Sequence, residues 1–479
     1  MLFRPLLACL LVLAPLDAVT AQAPLEQVVR AKLAEAGPGT RFGLVVATED
    51  GTELIALDPE GRFIPASNTK LFTTAAAFHT LQGVDRPDTA GGAAVRLEGA
   101  DVVLEGHGDA RLSAAPGCLT NCLAALADAV ATKTKRVRHV IGDDSLFPDQ
   151  RWSPGMSWNN LPTRSGTAAS ALSLDDNELV VLVSPATPGH PPRLEHLSYY
   201  TIENRAVTIT TGPAALGFDR LPGTTVVRLS GTILAGAEPE RLRLAIDDPA
   251  HYAAWRLKAL LEERGVRVTG QVHAQHRPLR RSDDPTVRGT APAPRAPRPA
   301  PLARLVAPPL ADDIALTNKV SQNLHAELLL RRVGLQQGTG SIADGIAAVK
   351  AMLADAGVPR AQFDLSDGSG MSTYNRLSPR GVVTFLRWAS AQPWGPTWRT
   401  GLPVAGVDGT LARRFKGGPL EGRLFAKTGS LHATNALAGY LTAKSGRTLL
   451  FAIYANDVPE GAAATKAMDG AIELIAAGN

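Results

Sequence analysis

The two ends of the chain carry matching patterns of secondary structure, and this match most strongly limits the folds open to it. The N-terminal pattern is a helix followed by two strands, and the C-terminal pattern is two strands followed by a helix. In chain order these segments lie at residues 25–36, 41–47, 52–58, 435–443, 447–455 and 459–477. Strands from both ends can share one sheet, which would bring distant parts of the chain together.

The residues between these ends are rich in further strands. Strand-like runs lie at 94–107, 180–184, 206–211 and 224–229. Residues 277–309 are crowded with Pro, Ala and Arg, a composition that cannot build a core and predicts an extended loop or linker. The middle of the chain is therefore expected to be a strand-rich insertion that ends at this loop.

Composition excludes several classes of protein. The chain has 479 residues, of which 45% are apolar and 20% charged, as expected of a globular protein with two or three domains. The net charge of +4 and the pI of 9.0 mildly favour approach to an anionic polymer, but they are too weak to indicate nucleic-acid binding. Three cysteines and no H-E-x-x-H pattern give little support to a zinc site, and we expect no cofactor.

The first 21 residues have the features of a secretory signal peptide. Arg4 precedes an apolar run at 6–14, and small residues end the segment before Gln22. That run is too short for a membrane span, and no later stretch approaches 18 apolar residues. We expect an exported, periplasmic protein that is soluble or peripherally associated with the membrane, without a transmembrane span.

Cys118 and Cys122 would be the only thiols left after removal of this segment. In an oxidising compartment they can form a small disulfide loop. The alternative is two unpaired thiols on successive turns of a helix, because a spacing of four within a helix suits a disulfide poorly. The sequence leaves both possibilities open.

Ser67 and Lys70 form the first candidate catalytic pair. Ser67-Asn68-Thr69-Lys70 leads into an Ala-rich, Pro-free segment at 73–81, which predicts a helix that begins near Ser67. Residues three apart share a helix face, so Lys70 can reach the Ser67 hydroxyl, and the helix N-terminus favours developing negative charge. Alone the pattern is weak, because a helix-capping serine and a solvent-exposed lysine also explain it.

Two further motifs follow in the order found in class A β-lactamases and penicillin-binding proteins. Ser321-Gln322-Asn323 precedes an amphipathic segment, and Lys427-Thr428-Gly429 follows a short strand-like run. Each has a decoy: Ser157-Trp158-Asn159 lacks a following helix, and Lys444-Ser445-Gly446 lies in an apparent hairpin turn. We therefore select Ser321 and Lys427.

With these motifs the chain resembles the D-Ala-D-Ala carboxypeptidase/endopeptidase family of class C low-molecular-mass penicillin-binding proteins, the DacB or peptidase S13 type. The resemblance spans nearly all of the chain after residue 21. Further similar segments lie at 106–109, 141–144, 308–310, 323–327, 367–370 and 408–411. It implies an α/β (α+β) transpeptidase domain of the penicillin-binding-protein/β-lactamase type, an antiparallel sheet flanked by helices, with large strand-rich inserts.

About 250 residues separate Ser67 from Ser321, which requires an inserted domain between them. The resemblance implies two nested inserts. The expected division is a signal peptide at 1–21, catalytic segments at 22–83 and 302–479, inserts at 84–276 and a Pro/Arg-rich linker at 277–301.

The resemblance also implies a serine peptidase that cleaves D-Ala-D-Ala in peptidoglycan stem peptides through an acyl-enzyme and binds β-lactam antibiotics covalently. The expected roles are Ser67 as nucleophile, Lys70 as its base, Ser321 as proton relay to the leaving D-alanine, Asn323 as a partner of the substrate amide, and Lys427 with Thr428 as partners of the terminal carboxylate. To act as a base at neutral pH, Lys70 is expected to be desolvated or to lie near another cation, and Lys427 can supply that cation.

Other residues of the strand and its surroundings are expected to bind substrate. Gly429 completes the third motif, and the backbone N–H groups of Ser67 and Ser430 are expected to form the oxyanion hole. His432 either contacts substrate or lines the strand edge, and these alternatives stay open. Residues 367–370 are interpreted as a loop bordering the site rather than a plain surface turn.

The chain departs from relatives that grip a diaminopimelate side chain at three positions. Asn160, Thr373 and His432 stand where those relatives tend to carry an acidic residue, an Arg and a Gln. The preference for stem-peptide side chains and the endopeptidase activity on cross-links therefore stay open, as does the oligomeric state. The alternatives are a β-lactamase, for which an E-x-x-L-N pattern is missing, and a peptidoglycan-binding or β-lactam-sensing module without turnover.

Overall fold

The computed structural model describes residues 24–293, 295 and 298–479. The expected signal peptide lies outside the described residues. Within the described part of the chain, no helix combines the length and the apolar character needed to cross a membrane.

The N-terminal segment forms a helix, a hairpin and a second helix: α1 (Leu25–Ala34), β1 (Arg41–Thr48), β2 (Glu53–Leu57) and α2 (Lys70–Thr80). The middle of the chain is mostly strands: β3 (Ala94–Glu98), β4 (Asp101–Glu105), α3 (Leu123–Lys133), β5 (Arg136–Val137), β6 (Val140–Pro148), β7 (Glu178–Ser184), β8 (Arg193–His196), β9 (Thr201–Asn204), β10 (Val207–Ile209), β11 (Ala215–Asp219), β12 (Val226–Leu234), β13 (Glu240–Ala245), α4 (Pro249–Glu263), β14 (Arg267–Val268), β15 (Val272–Arg277), α5 (Pro285–Arg288) and β16 (Ala303–Arg304).

The C-terminal segment returns to helices and a final group of long strands: α6 (Leu310–Lys319), α7 (Asn323–Leu335), α8 (Ile342–Asp355), β17 (Phe363–Asp364), β18 (Arg376–Leu377), α9 (Pro379–Ser390), α10 (Gly395–Thr400), β19 (Leu424–Leu431), β20 (Thr434–Thr442), β21 (Thr448–Asn456) and α11 (Ala464–Gly478).

Strands from both ends of the chain share one antiparallel sheet, as the sequence predicts. Its order is β19-β20-β21-β1-β2, so β1 lies directly beside β21. Successive side chains of β1 point to opposite faces of the sheet. Leu44 packs with α1 and α11 on one face, and Val45 packs with α2 and α9 on the other. The sheet is therefore covered by helices on both faces.

The middle of the chain builds its own core around a second five-stranded sheet, with the order β15-β6-β4-β3-β16. Strands β7 to β13 lie between β6 and β15 in sequence and form two further sheets. The strand-like run at 94–107 is a hairpin rather than one strand, because Gly99 turns the chain with a φ of 59°. Residues 303–304 still pair with β3, so the chain leaves this sheet a few residues beyond the expected boundary at 302.

The proline- and arginine-rich loop is held by ion pairs. Arg288 binds Asp344 of α8 at 2.7 Å, and Arg298 binds Glu105 of β4 at 3.0 Å. The loop therefore contacts both the C-terminal segment and the insert.

Cys118 and Cys122 form a disulfide. The alternative of two thiols on successive helical turns is wrong, because α3 begins only after Cys122. Asn121 adopts a left-handed φ of 57°, which turns the loop back on itself before the helix.

Candidate active site

The turn that carries Ser67 is clamped between a strand and a loop. Residues Ala66–Thr69 form a short 3-10 helix immediately before α2, and Ala66 has a left-handed φ of 47°. A Cβ on Gly429 of β19 would lie 2.5 Å from the Pro65 carbonyl oxygen. A Cβ on Gly370 would overlap the Ala66 carbonyl oxygen. These two glycines allow the strand and the loop to approach the turn closely.

Lys70 is completely buried, and its amine contacts three oxygens of the site. Nζ lies 3.0 Å from Ser67 Oγ, 2.6 Å from Asn323 Oδ1 and 2.6 Å from the Ser369 carbonyl oxygen. Burial lowers the pKa of Lys70 to about 7, although the charges of nearby carboxyl groups oppose this shift. The predicted pair therefore has both the contact and a pKa that suit proton transfer near neutral pH.

Lys427 forms a similar pair with Ser321. Its Nζ donates to Ser321 Oγ at 3.0 Å and to the Thr428 carbonyl oxygen at 3.0 Å. Burial lowers the pKa of Lys427 well below its usual value, and the charge of Lys70 lowers it further. Ser321 has a left-handed φ of 60° between α6 and α7. Burial, one of the two causes expected from the sequence, is the main cause of the low pKa of Lys70.

Asn323 begins α7 and connects Lys70 to the insert. The side chain of Gln322 caps this helix by accepting the N–H of Leu324. Asn323 Oδ1 accepts from Lys70, and its Nδ2 donates to the Ser165 carbonyl oxygen at 2.8 Å. Backbone of the insert thus fixes the orientation of this amide.

The loop at 367–370 borders the site, as predicted. Glu327 of α7 accepts the N–H groups of Gly368 and Ser369 at 3.0 and 2.9 Å. Asp367 accepts the N–H of Gly370 at 2.9 Å, and burial, followed by the charge of Glu327, raises the pKa of Asp367. These bonds hold the loop so that the Ser369 carbonyl oxygen faces Lys70.

The outer edge of β19 is open toward the site. The N–H of Ala426 donates to Pro403, outside the sheet, at 3.0 Å. Because N–H directions alternate along a strand, the N–H groups of Thr428 and Ser430 also face this open edge. The Thr428 hydroxyl donates to Thr410 Oγ1 at 2.7 Å. This edge therefore offers hydroxyl and N–H groups next to Ser67.

A cleft of about 390 Å³ continues from this edge between the strand, the insert and the loop that follows Gly370. Asn160, Thr373 and His432, the three positions at which the sequence departs from its relatives, all line it. Among the described residues, its lining contains hydroxyl, amide, apolar and imidazole groups but no Asp, Glu, Lys or Arg. Ser157, the decoy, also lies here, a placement that its sequence context does not predict.

The structure brings together the predicted residues Ser67, Lys70, Ser321, Asn323 and Lys427, and their catalytic roles stay predictions. Thr428, Gly429, Ser430 and His432 continue along the strand edge and the cleft. The sequence did not identify Asn68, Glu327 and Thr410 as parts of the site, and it predicted Ser369 only as a member of a loop that borders it. Asn68 donates to the Lys427 carbonyl oxygen at 2.7 Å, between the two motifs. Glu327, Ser369 and Thr410 lie in the segments 323–327, 367–370 and 408–411, and the similarity of these segments to the family was the only sequence signal for them.

Two amines of lowered pKa, each beside a serine hydroxyl, can accept and return protons during acyl transfer. Within the described residues, no group of three or more His, Cys, Asp or Glu side chains is placed to hold a metal ion.

Comparison with known proteins gives one consistent result. A family model described as the D-Ala-D-Ala carboxypeptidase 3 (S13) family matches residues 25–477. The D-alanyl-D-alanine carboxypeptidase of Actinomadura sp. (strain R39) is 33% identical over 438 residues, which cover 86% of this chain and 77% of the relative. The D-alanyl-D-alanine carboxypeptidase DacB of Haemophilus influenzae is 24% identical over 444 residues, which cover 88% of this chain and 87% of the relative.

Solved structures show the same architecture. The crystal structure of penicillin binding protein 4 from Haemophilus influenzae superposes with a TM-score of 0.77 at 20% identity, covering 92% of this chain and 97% of that one. A crystal structure of the same protein complexed with a β-lactam superposes with a TM-score of 0.69. This likeness confirms the predicted fold class.

Proposed function

The chain belongs to the D-Ala-D-Ala carboxypeptidase 3 (S13) family, and we propose that it removes the terminal D-alanine of peptidoglycan stem peptides through an acyl-enzyme on Ser67. It is a serine-type D-Ala-D-Ala carboxypeptidase, and the relatives from Actinomadura and Haemophilus influenzae are named D-alanyl-D-alanine carboxypeptidases. The observation that carries the mechanism is the convergence of two buried lysine amines on the hydroxyls of Ser67 and Ser321.

The first step is attack of Ser67 Oγ on the carbonyl carbon of the penultimate D-alanine. Lys70 in its amine form takes the hydroxyl proton across the 3.0 Å contact, and a pKa of about 7 leaves much of it in that form at neutral pH. The developing oxyanion lies against the N–H groups of Ser67 and Ser430. The orientation of the Ser430 N–H toward the open strand edge supports this role.

The second step is departure of D-alanine as the amide bond breaks. The nitrogen of the leaving D-alanine takes a proton from the Ser321 hydroxyl. Lys427, whose Nζ lies 3.0 Å from Ser321 Oγ, then returns a proton to Ser321. The ammonium of Lys427, with the hydroxyl groups of Thr428 and Thr410, holds the terminal carboxylate of the peptide. A carboxylate bound there favours the charged form of Lys427, which the empty site disfavours. Water then hydrolyses the Ser67 ester and regenerates the hydroxyl.

A β-lactam presents a carboxylate and a strained amide in a similar arrangement, so we propose that penicillin acylates Ser67 and is released slowly. The relative from Haemophilus influenzae is crystallised with a β-lactam, and the curated relative from Dictyostelium discoideum is named a penicillin-sensitive carboxypeptidase. The cleft beyond Ser430 gives room for the rest of a stem peptide, and we extend the proposal to endopeptidase cleavage of cross-links.

We further propose that the protein acts outside the cytoplasm. The signal-like sequence at 1–21 supports export, and the disulfide between Cys118 and Cys122 suits an oxidising compartment. This location would place the enzyme beside its peptidoglycan substrate.

Digestion of purified peptidoglycan tests the proposed reaction. Mass spectrometry of the products should show loss of one D-alanine from pentapeptide stems, and release of monomers from dimers would establish the endopeptidase reaction. Rapid hydrolysis of penicillin without action on D-Ala-D-Ala peptides would instead favour a β-lactamase. Penicillin labelling without any D-alanine release would favour a sensing module.

The decoy motif provides a matched control for this experiment. Ser321→Ala should lower D-alanine release about a hundredfold because the leaving group loses its proton donor. Ser445→Ala, the same substitution in the decoy Lys444-Ser445-Gly446, should change release less than about twofold, since the Ser445 hydroxyl lies in an exposed hairpin turn and accepts only the N–H of Arg447 in the described network. Equal losses in both variants would contradict the assignment of Ser321.

A further inference from the structure

His325 lies two residues beyond Asn323 in the first turn of α7 and is completely buried. Both ring nitrogens face carboxylate oxygens. Nδ1 is within hydrogen-bond distance of Asp313 Oδ1 on α6, and Nε2 lies 2.7 Å from Asp176 Oδ1 in the insert. A neutral imidazole has only one N–H, so one of these contacts would place a lone pair against a carboxylate. With both carboxyl groups ionised, the arrangement therefore requires a doubly protonated imidazolium, and the pKa of Asp176 is lowered by its contact with His325 despite burial.

The pKa of His325 agrees with this geometry. Burial disfavours the cation, but the charges and hydrogen bonds of Asp313 and Asp176 outweigh burial and raise the pKa to about 10. The helix N-terminus also disfavours a cation, so the two carboxylates must compensate for that too. The charged groups around Asp176 are Arg164, Asp175, Glu178 and Arg243 of the insert, and Asp109 lies near Asp313. Arg111 and Arg241 line a second cleft, separate from the one beyond Ser430, together with Asp176 and His325.

The turn that supplies Asp176 is built to hold one position. Asp175, Asp176 and Asn177 all have left-handed φ values, between 49° and 57°. Asp175 accepts the Ser113 hydroxyl at 2.7 Å, and Asn177 donates to the Ala168 carbonyl oxygen at 2.9 Å. A backbone conformation that non-glycine residues rarely adopt persists when its surroundings fix it.

We propose that His325 is a positioning residue for acyl transfer, which as an imidazolium ties α6 and the insert turn 175–177 to the first turn of α7. Through this tie the insert sets where Asn323 presents its amide to Lys70 and to substrate. The inference rests on the proposed role of Asn323 in the acyl-enzyme reaction. It gives the insert a second route, besides the hydrogen bond from Asn323 to Ser165, by which it positions the Asn323 amide.

Asp176→Asn and Asp175→Asn form a matched pair for the test. Both remove one carboxylate from the same turn, and asparagine tolerates left-handed φ values, but only Asp176 contacts His325. The measurement is the second-order rate constant for labelling of full-length protein by a fluorescent penicillin, per folded molecule, with the folded fraction taken from circular dichroism at each pH.

Loss of Asp176 should let His325 lose its proton at lower pH. The ratio of the Asp176→Asn rate to the wild-type rate should stay near one at about pH 7 and fall about fivefold by about pH 9. The ratio for Asp175→Asn should not change with pH. A ratio for Asp176→Asn that is independent of pH, or equal changes in both variants, would overturn the proposal.

Nitrogen NMR of the wild-type histidines gives a measurement that does not depend on activity or on a variant that folds. Two protonated ring nitrogens on His325 at about pH 8 are expected, and a neutral ring there would overturn the proposal. Absence of any penicillin labelling in the wild type would contradict the proposed function instead, and the NMR result would then decide the state of His325 by itself.

Discussion

Lys70 shows at the scale of one residue how burial produces a base. An exposed lysine has a pKa near 10.4 and is charged at neutral pH, which makes it a poor proton acceptor. The side chain of Lys70 is enclosed beneath the Ser67 turn and the loop at 367–370, and burial lowers its pKa to about 7. Nearby Asp367 and Glu327 limit the shift, so the pKa falls to the working range and not far below it.

The pH dependence of acylation follows from this pKa. Lys70 must be uncharged to accept the Ser67 proton, so the labelling rate with penicillin should rise with pH through about pH 7 and level off above it. The measurement is the second-order labelling rate constant at a series of pH values. A rate that falls with increasing pH across this range would contradict the role of Lys70 as base.

Substitution of the same lysine should give the corresponding loss. Lys70→Met keeps most of the buried volume and removes the amine, so labelling should slow about a thousandfold. Lys444→Met, in the exposed hairpin turn of the decoy motif, should label within about twofold of wild type. Normal labelling by Lys70→Met would exclude this lysine as the base.

Some residues of the site could be predicted from sequence and others could not. Ser67, Lys70, Ser321 and Lys427 were identifiable because their spacing and order carry the chemistry. The contact between Lys70 and Ser369 was not, although the loop at 367–370 was expected to border the site, because Ser369 contributes a backbone carbonyl oxygen and any residue type offers the same atom. Its position depends on hydrogen bonds to Glu327, a contact between residues 42 apart in sequence.

Gly370 is the residue at which the loop at 367–370 packs against the Ser67 turn. Its φ of 86° is left-handed, and an added Cβ would overlap the Ala66 carbonyl oxygen. Gly370→Ala should therefore displace the loop, lower the free energy of unfolding by more than about 2 kcal/mol and slow penicillin labelling at least about tenfold. Thermal unfolding and labelling rates measure the two effects.

Gly446→Ala is the control for this substitution. Gly446 has almost the same φ, 89°, but an added Cβ would meet nothing within 4 Å. This variant should lose about 1 kcal/mol of stability from backbone strain alone and keep its labelling rate. Equal effects at the two glycines would show that close packing at Gly370 is unimportant.

The disulfide between Cys118 and Cys122, which precedes α3, should contribute modestly to stability. A loop closed by residues four apart restricts the unfolded chain little, and chain entropy predicts about 2 kcal/mol. The double variant Cys118→Ser and Cys122→Ser should lose about that much free energy of unfolding in urea and keep full D-alanine release. Loss of activity in a folded double variant would contradict a purely stabilising role.

Long apolar elements were predictable, and short connections were not. The strands that became β1, β20 and β21 were evident because they are buried on both faces and read as apolar runs. The last helix begins at Ala464 instead of 459, since the residues before it form a turn. The two-residue strand β16 gives almost no periodic signal, so its pairing with β3 depends on tertiary structure.

At the scale of the whole molecule, one site is assembled from distant parts of the chain. The N-terminal segment gives Ser67 and Lys70, α7 gives Asn323, β19 gives Lys427, and the insert contacts Asn323 through Ser165. We propose that the catalytic domain consists of the two terminal segments, with nested inserts between them. The separate core of the insert supports this division.

The cleft built from all three parts predicts substrate preference. Because Asp, Glu, Lys and Arg are missing from its described lining, peptides with neutral, cationic or zwitterionic side chains at the third stem position should differ less than about fivefold in kcat/KM. Asn160→Asp should improve relative cleavage of the cationic peptide about fivefold. Asn479→Asp, which adds the same charge at the C-terminus, should leave the ratios unchanged.

A preference of more than a hundredfold for one charged side chain in the wild type would contradict this account of the cleft. So would an unchanged ratio in Asn160→Asp, provided that the variant still releases D-alanine.

The proposed reaction depends on acylation of Ser67. Incubation of the protein with penicillin, proteolysis and mass spectrometry should place one penicilloyl group per chain on the peptide containing Ser67, and Ser67→Ala should carry none while keeping its fold. A label that persists in Ser67→Ala, or an adduct found on Ser321 instead, would contradict the account.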